Sequence, residues 1–260
     1  MIALVRSVPA SYAAQATRAH YDPTSAIDPA ATVAQHRGVA RALARLGDDV
    51  HWLASPDDQP DAVFVEDTAV VVGGRALVAR SAHPGRRGEA VAVAARLAAL
   101  GLDVVSMDDG TLDGGDVLRV GTQLFVGRST RTDATGVAWL ARTFPALEVV
   151  PVELPAGVLH LKCVASTPGD EATVVLAEGT VPVDVFAGLR CIEVPADEAY
   201  AANLVGNGRR VVVAAGHPRT ADLLDAAGFE VDPVPVDELR KGDGSLTCLS
   251  LRFEAASPVG

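Results

Sequence analysis

The chain has 260 residues, enough for one large or two ordinary domains, and 49% of them are hydrophobic, which suits a sizeable core. A formal net charge of −11 argues against a nucleic-acid partner or an anionic membrane surface, and it leaves a cationic small molecule open. There is no apolar run of about 18 residues that would predict a membrane span. Arg6 interrupts the apolar N-terminus, so we predict a first strand there rather than a signal peptide, and a cytosolic protein.

Three segments of the chain resemble one another and start at Glu66, Gly115 and Ala202. In each, an apolar strand is followed by a turn dipeptide and a second strand. The dipeptides are GlyGly at 73–74, GlyThr at 121–122 and AsnGly at 207–208, which are typical of β-hairpins. We therefore predict a repeated unit that begins with a hairpin.

An amphipathic helix follows the hairpin in these units. We predict that Thr132 and Thr220 are the N-caps of two helices, because a threonine hydroxyl accepts a hydrogen bond from the first turn. Gly101 and Gly228 are predicted to end helices, since glycine adopts the left-handed backbone that stops them.

A weaker fourth copy starts at Leu161, and a fifth can be assembled circularly. The fifth would join CLSLRF near the end of the chain to IALVRSV at its start, with a helix after Pro29. A repeat of 40 to 50 residues is typical of arrays and propellers. Because each unit has strands and a helix, we predict an α/β fold, a propeller with five-fold pseudosymmetry and ββαβ units. One domain would span residues 1–260, with a pocket where loops meet on the axis.

Two acidic stretches mark the ends of predicted strands. Asp61, Glu66 and Asp67 surround the apolar residues 63–65, which we predict to be a strand. Buried acids need cations or hydrogen-bond donors, and a cationic substrate would supply them. Asp113 and Asp116 bracket two glycines, which permit close approach of the backbone to a ligand or a neighbouring strand.

A histidine and a cysteine mark two further strand ends. Alternation along a predicted strand puts His160 and Lys162 on one face, opposite Cys163. Cys248 follows a glycine-rich turn in another predicted strand, and packing alone is the default role of a free cysteine. The three cysteines have long spacings that fit neither a disulfide scaffold nor a zinc ribbon. Thiol, imidazole and carboxylates from distant repeats form a candidate Cys/His/Asp constellation.

Seven motifs, in their order along the chain, resemble the dimethylarginine dimethylaminohydrolases of the guanidino-group-modifying superfamily. They are FVEDTAVV, HPGRRGEA, TLDGGDVL, FVGRSTRT, LHLK, YAANLV and DGSLTCLSLRF. The resemblance covers nearly the whole chain. It implies the five-bladed pentein fold and an active site on the axis. It also implies hydrolysis of Nω-methylated arginines to citrulline and methylamines through a covalent cysteine thiouronium, with neither a metal nor an organic cofactor.

The resemblance also implies residue roles. In the catalytic set, Cys248 would be the nucleophile, His160 the general acid and base, and Asp113 the carboxylate that orients the imidazole. The substrate-binding set would be Glu66 and Asp67 near the guanidinium, Asp61 at the α-amino group, and Arg86 and Arg131 at the α-carboxylate. A bidentate guanidinium–carboxylate pair fixes orientation as well as charge.

Other functions remain open at this stage. The segment from Ser11 to Pro29, where the family places a lid, matches only loosely, and a lid sets which substrates are accepted. An arginine deiminase would use the same residues on unmethylated arginine, and a non-catalytic propeller could act as a protein-binding scaffold. The two predicted clamp arginines argue against agmatine, which has no carboxylate. We expect a small guanidino amino acid as partner, and a homodimer is left open.

Overall fold

The computed structural model describes residues 1–18 and 24–255, which form fifteen strands and six α-helices. The strands are β1 (Ile2–Arg6), β2 (Asp49–Leu53), β3 (Ala69–Val72), β4 (Arg75–Val78), β5 (Asp103–Ser106), β6 (Val117–Val120), β7 (Gln123–Arg128), β8 (Glu148–Glu153), β9 (Ala165–Ser166), β10 (Thr173–Ala177), β11 (Arg190–Val194), β12 (Val205–Gly206), β13 (Arg210–Ala214), β14 (Glu230–Val234) and β15 (Leu251–Phe253). The helices are α1 (Tyr12–Gln15), α2 (Pro29–Arg45), α3 (Glu89–Ala99), α4 (Ala134–Thr143), α5 (Pro218–Ala226) and α6 (Asp237–Arg240).

The described strands form five separate three-stranded sheets. In each sheet the first two strands are antiparallel and the third runs parallel to the middle one, as in β3-β4-β5 and β6-β7-β8. A parallel pair needs a crossover of about a dozen residues or more, and helices α2, α3, α4 and α5 supply four of the five. The predicted five-bladed α/β propeller is therefore confirmed.

The predicted circular fifth unit is also confirmed. Strand β15 pairs antiparallel with β1, with Ile2 opposite Phe253 and Leu4 opposite Leu251, and β2 completes that sheet. The middle strands carry valine-rich sequences that suit a buried sheet, and all five residues of β10 are buried. The two ends of the described chain thus close the ring of blades on each other.

Two details of the repeat differ from the prediction. In the unit that starts at Leu161, the crossover between β10 and β11 is short. It consists of residues 178–189 and contains a 3-10 turn (Val183–Phe186) in place of an α-helix. The predicted N-caps are wrong. Helix α4 is capped by Asp133, one residue after Thr132, and Thr220 lies inside α5, which starts at Pro218. Both threonine hydroxyls are instead hydrogen-bonded to buried carboxylates from other parts of the chain.

The predicted helix stops are confirmed. Gly101 and Gly228 follow the ends of α3 and α5 with φ of +83° and +100°, the left-handed backbone that ends a helix. Among the helices of the described residues, none combines the length and the apolar character needed to cross a membrane.

A buried ion pair locks the fifth blade. The Arg252 guanidinium in β15 donates to both carboxylate oxygens of Asp48, at 2.6 and 3.0 Å, and the Asp48 side chain is 1% exposed. Asp48 directly precedes β2, so the pair joins the two outer strands of the closing sheet across β1. Removing one partner of a buried pair leaves the other charge without compensation.

We predict that Asp48→Asn lowers the free energy of unfolding by about 3 kcal/mol, because it leaves Arg252 unpaired in a mostly buried position. The matched control is Asp49→Asn, at a side chain that is 76% exposed and pairs with His51 on the surface. That change should stay within about 0.5 kcal/mol. Urea denaturation of the three proteins measures this, and equal stabilities would show that the ion pair does not hold the closure.

Candidate active site

Of the eight predicted site residues, Glu66, Asp67 and Cys248 lie on short 3-10 turns at the propeller axis, and Asp113 and His160 directly precede two further such turns. One such turn precedes the first strand of each sheet: Val65–Thr68, Gly114–Asp116, Leu161–Cys163, Ala196–Ala202 and Thr247–Leu249. The strands predicted around residues 63–65, His160 and Cys248 are therefore wrong, and face assignments from alternation do not hold there. Near the axis the chain bends to enter each blade, so the apolar residues pack turn against turn without strand pairing.

Six of the eight predicted site residues line one small cavity of about 40 Å³: Asp61, Asp67, Arg86, Arg131, His160 and Cys248. Thr17, Phe64, Leu159, Cys163, Gly242 and Asp243 complete its wall. Asp113 is fully buried behind His160. Glu66 lines a different cavity of about 410 Å³, which the first strands of the sheets surround. The structure thus brings together the residues that the resemblance selects, with Glu66 set apart.

His160 is held between carboxylates. Its Nε2 lies 3.3 Å from Asp113 Oδ2 and its Nδ1 lies 4.0 Å from Asp67 Oδ1. Burial alone would lower the pKa of His160, but the negative charges of Asp67, Asp113 and Asp116 outweigh burial and raise it to about 9. The imidazole is therefore a cation at neutral pH, ready to act as an acid.

Asp116 fixes the turn that carries the histidine. Its Oδ1 accepts a hydrogen bond from the Leu161 backbone N–H at 3.0 Å, and its Oδ2 accepts from the hydroxyls of Ser129 and Thr132, each at 2.6 Å. Burial raises the pKa of Asp116, although these donors oppose the shift. The side chain is fully buried, so it holds His160 through its neighbour and does not touch the cavity.

The glycine pair before Asp116 allows the close approach that the sequence predicts. A Cβ on Gly115 would lie 2.7 Å from His160 Nδ1 and 2.8 Å from Asp67 Oδ1, distances that any side chain would violate. The Gly115 backbone N–H donates to Asp67 Oδ1 at 3.1 Å. The missing side chain therefore lets Asp67 reach both the backbone and the imidazole.

Cys248 is buried, and its Sγ lies 3.3 Å from Ser245 Oγ. Burial, followed by the negative charges of Glu66 and Asp67, raises the pKa of the Cys248 thiol to about 12. The thiol is therefore protonated at neutral pH in this arrangement. A cation bound beside the sulfur would shift the balance back towards the nucleophilic thiolate.

The two predicted clamp arginines are in different states. Arg86 donates to Asp67 Oδ2 and to Glu89 Oε2, both at 2.9 Å, and its Nε also donates to Glu89. Arg131 Nη1 lies 3.5 Å from Asp113 Oδ2, and this nitrogen is buried without a hydrogen bond among the described residues. Arg131 therefore presents a donor that can bind an anionic group, whereas the fork of Arg86 is already engaged.

Asp61 connects the cavity to the segment predicted to form a lid. Its Oδ1 accepts from the Thr17 backbone N–H at 2.9 Å, and its Oδ2 accepts from the Thr17 hydroxyl at 2.6 Å. Residues 19–23 of the predicted lid lie outside the described residues. The described part before them thus reaches the cavity wall through Thr17, as a cover over the site requires.

Several residues around the site were not selected from the sequence as functional. Glu89 engages Arg86, Lys162 and Thr247 donate hydrogen bonds to Glu66, and Asn203 donates to Thr247. Asn203 precedes a predicted strand in one repeat. Asp116 and Cys248 occupy the equivalent position in two other repeats. That shared position at the start of a unit is the signal that could have marked it.

One group could hold a metal ion. Single ligand atoms of Asp67, Asp113 and His160 all lie within 4.8 Å of one another. Asp67 is already paired with Arg86, and Asp113 lies beside Arg131 and His160, so a divalent cation would compete with cations that the chain itself supplies. The expectation that no metal is required stays a prediction.

Five blades around an axis, with a cysteine, a histidine and carboxylates on their axial turns, define the pentein class of guanidino-group-modifying proteins. The family model for arginine deiminase matches residues 49–186. The N(G),N(G)-dimethylarginine dimethylaminohydrolase of Streptomyces coelicolor is 38% identical over 231 residues, which cover 87% of this chain and 88% of that protein. Its Pseudomonas aeruginosa counterpart is 34% identical over 233 residues, covering 87% and 90%.

Solved structures agree with these relatives. The Pseudomonas aeruginosa enzyme, as a cysteine-to-serine variant complexed with citrulline, has a TM-score of 0.88 and 30% identity, covering 96% of this chain and 98% of that one. The N-terminal domain of a cyanobacterial arginine dihydrolase shares the fold at 20% identity, with a TM-score of 0.79 over 96% of this chain and 97% of that one. The chain belongs to the dimethylarginine dimethylaminohydrolase family.

We predict that two buried histidines titrate at opposite ends of the pH range. His160 should lose its proton near pH 9, whereas burial without a compensating carboxylate lowers the pKa of His36 to about 4. NMR titration of imidazole-labelled protein measures both midpoints, and His160→Gln and His36→Gln assign the two signals.

The stability consequence has a definite sign. Because the folded-state pKa of His160 is raised above its unfolded value of about 6.5, its contribution to stability is complete below pH 6.5 and is lost as pH rises through about 9. A His160 midpoint at or below 6.5 would contradict the charge arrangement described for the site.

Proposed function

We propose that this protein hydrolyses Nω-methylated arginines, asymmetric dimethylarginine and monomethylarginine, to citrulline and the corresponding methylamines. The observation that carries the proposal is the shared cavity of Cys248, His160 and Asp67, with Asp113 behind the imidazole, in a chain of this family. The named relatives carry this activity in their names, and one was solved with citrulline.

Catalysis would proceed through a covalent intermediate on Cys248. A guanidinium is stabilised by resonance and is a poor electrophile, so a thiolate is the side chain suited to attack its central carbon. Attack forms a carbon–sulfur bond and a tetrahedral adduct. His160 then protonates the departing methylamine as the carbon–nitrogen bond breaks, which leaves a thiouronium on the sulfur.

The second half of the reaction uses the same imidazole in the reverse sense. Having given up its proton, neutral His160 takes one from a water molecule, and the oxygen attacks the thiouronium carbon. The carbon–sulfur bond then breaks, citrulline is released, and the thiol is regenerated. Asp113, 3.3 Å from Nε2, holds the ring in place and stabilises its charged form in both steps.

Substrate binding would also activate the nucleophile. In the described arrangement the pKa of Cys248 is raised to about 12, mainly by burial and then by Glu66 and Asp67. A guanidinium placed between the sulfur and Asp67 offsets those negative charges and lowers the thiol pKa. The reactive thiolate would therefore form when a cationic substrate is present, with the thiol proton released to solvent because His160 is already protonated.

The ends of the substrate would be recognised by opposite charges. We assign the α-carboxylate first to Arg131, whose buried Nη1 lacks a hydrogen-bond partner, and the α-amino group to Asp61. Arg86 lines the same cavity but is held by Glu89 and Asp67, so its direct role depends on the substrate displacing one of them.

Arginine deimination is the second candidate. The match of residues 49–186 to the arginine deiminase family model favours it, because the same residues could act on an unmethylated guanidinium. A scaffold without catalysis has no comparable support, since the catalytic set lies together at the axis. The cytosolic location and the homodimer stay predictions.

We predict that the protein releases citrulline from both methylarginines faster than from arginine, and that Cys248→Ser abolishes turnover because a hydroxyl is a far weaker nucleophile. Citrulline formation is measured with each amino acid, with and without a chelator. Cys191→Ser, in strand β11 away from the cavity, is the control and should retain activity. Preference for arginine would establish the deiminase instead, and activity in Cys248→Ser would refute the nucleophile assignment.

We predict that Arg131→Gln raises the KM for monomethylarginine by about 10- to 100-fold, as expected for a charge-assisted hydrogen bond. The turnover number should fall much less, because the carboxylate is bound in ground and transition states alike. Arg128→Gln is the matched control, since that exposed side chain pairs with Glu153. An unchanged KM in Arg131→Gln would show that another residue binds the carboxylate.

A further inference from the structure

A closed ring of hydrogen bonds crosses the propeller axis beside the active site. Lys162 Nζ donates to Glu66 Oε1 at 2.6 Å, and Thr247 Oγ1 donates to Glu66 Oε2 at 2.6 Å. Asn203 Nδ2 donates to Thr247 Oγ1 at 3.0 Å and to the Lys162 backbone carbonyl at 2.7 Å, which closes the ring. Four side chains thus form one continuous polar circuit.

The ring joins all five blades at their axial turns. Glu66, Lys162 and Thr247 lie on the turns that lead into β3, β9 and β15, and Asn203 directly follows the turn before β12. Lys162 Nζ adds a contact to the Gly114 backbone carbonyl at 3.3 Å, on the turn before β6. A displacement of one turn would therefore be transmitted to the others.

Asn203 holds the two turns that carry the reacting groups. Its Oδ1 accepts from the Thr247 backbone N–H at 2.9 Å, one residue before Cys248. Its Nδ2 donates to the carbonyl of Lys162, two residues after His160. Asn203 is 1% exposed, which shields its amide from bulk solvent, and it does not line the small cavity that holds the thiol.

We propose that Asn203 is a positioning residue for the reaction, whose amide sets the separation between the nucleophile turn and the acid–base turn. The inference rests on the proposed function for the chemistry that it positions. An amide supplies a donor and an acceptor in one plane, which is what two backbone groups of opposite polarity on neighbouring turns require. Misplacing reacting groups by about 1 Å costs on the order of 100-fold in rate.

A merely structural role would have a different signature. If Asn203 only held blades together, its loss would lower the thermal midpoint, and the folded fraction would react normally. If it positions the thiol, the folded protein would react slowly while substrate binding stayed intact, because the cavity residues that bind the substrate are untouched.

The first test is Asn203→Asp, which keeps the shape and the acceptor for the Thr247 N–H and removes both donated hydrogen bonds. The turnover number should fall about 100-fold with KM within about threefold. The control is Asn207→Asp, in the hairpin turn of the same blade, where Nδ2 donates to the Leu46 carbonyl and Oδ1 accepts from two backbone N–H groups. It should leave both constants unchanged.

A second readout does not depend on turnover. The rate constant for alkylation of Cys248 by 2-chloroacetamidine, followed by intact-protein mass spectrometry, should fall at least about tenfold in Asn203→Asp and not in Asn207→Asp. If wild-type protein fails to turn over methylarginines, the proposed function is wrong, and the alkylation rates still decide the positioning role.

Thr247→Val provides an independent variant, because it deletes the hydroxyl that both Asn203 and Glu66 use. The rate constant for alkylation should fall in Thr247→Val as it does in Asn203→Asp. In the double variant it should fall little further than in the slower single variant, since both substitutions act through one hydrogen-bond ring. The proposal would be overturned if the two single losses in rate multiplied in the double variant. It would also be overturned if folded Asn203→Asp kept alkylation and turnover within about threefold of wild type. Should Asn203→Asp fail to fold, a normal alkylation rate in Thr247→Val would overturn it.

Discussion

A buried row of alternating charges crosses the active end of the propeller, and the chemistry of the site depends on it. Its members are Glu89, Arg86, Asp67, His160, Asp113 and Arg131. A buried charge is tolerated where opposite charges and hydrogen bonds surround it. Each inner member has an opposite charge on either side. The row explains how a fully buried imidazole remains a cation.

One member of this row, Asp67, also acts on the Cys248 thiol. Burial, followed by the negative charges of Glu66 and Asp67, raises the pKa of the Cys248 thiol, so the imidazole and the thiol are both protonated at neutral pH. A positively charged ligand beside the sulfur would supply the opposite charge that stabilises a thiolate. The net charge of −11 acts in the same direction over a longer range, because a negative protein attracts a cationic substrate.

Pseudosymmetry places this chemistry at one point. Five copies of one supersecondary unit bring five axial turns together, and each turn carries a different polar residue, so one scaffold supplies the thiol, the imidazole and the carboxylates. The groups assigned to the substrate ends come from elsewhere. Arg86 follows β4 and Arg131 follows β7, beyond the turns themselves. The repeat therefore positions the reacting groups, and the longer connections determine what binds beside them.

The amino-acid sequence was enough to predict the blade count, the hairpins at 73–74, 121–122 and 207–208, and the circular pairing of CLSLRF with IALVRSV. These features rest on local turn chemistry and on a period that survives in the order of residues. The family motifs in order also selected the residues that line the cavity. The sequence did not show which contacts these cavity residues would make. The exception is the glycine pair before Asp116, for which a close approach of the backbone was predicted.

The local conformation of the site and the contacts of its side chains follow from packing between the blades. The apolar residues 63–65 favour a strand by composition, but in the folded chain they form no strand, and a 3-10 turn begins at Val65. Thr132 and Thr220 would serve as caps in isolation, but buried carboxylates distant in sequence bind their hydroxyls. The hydrogen-bond ring through Asn203 joins groups on separate blades. Such contacts exist once the ring of blades has closed, because no local propensity encodes them.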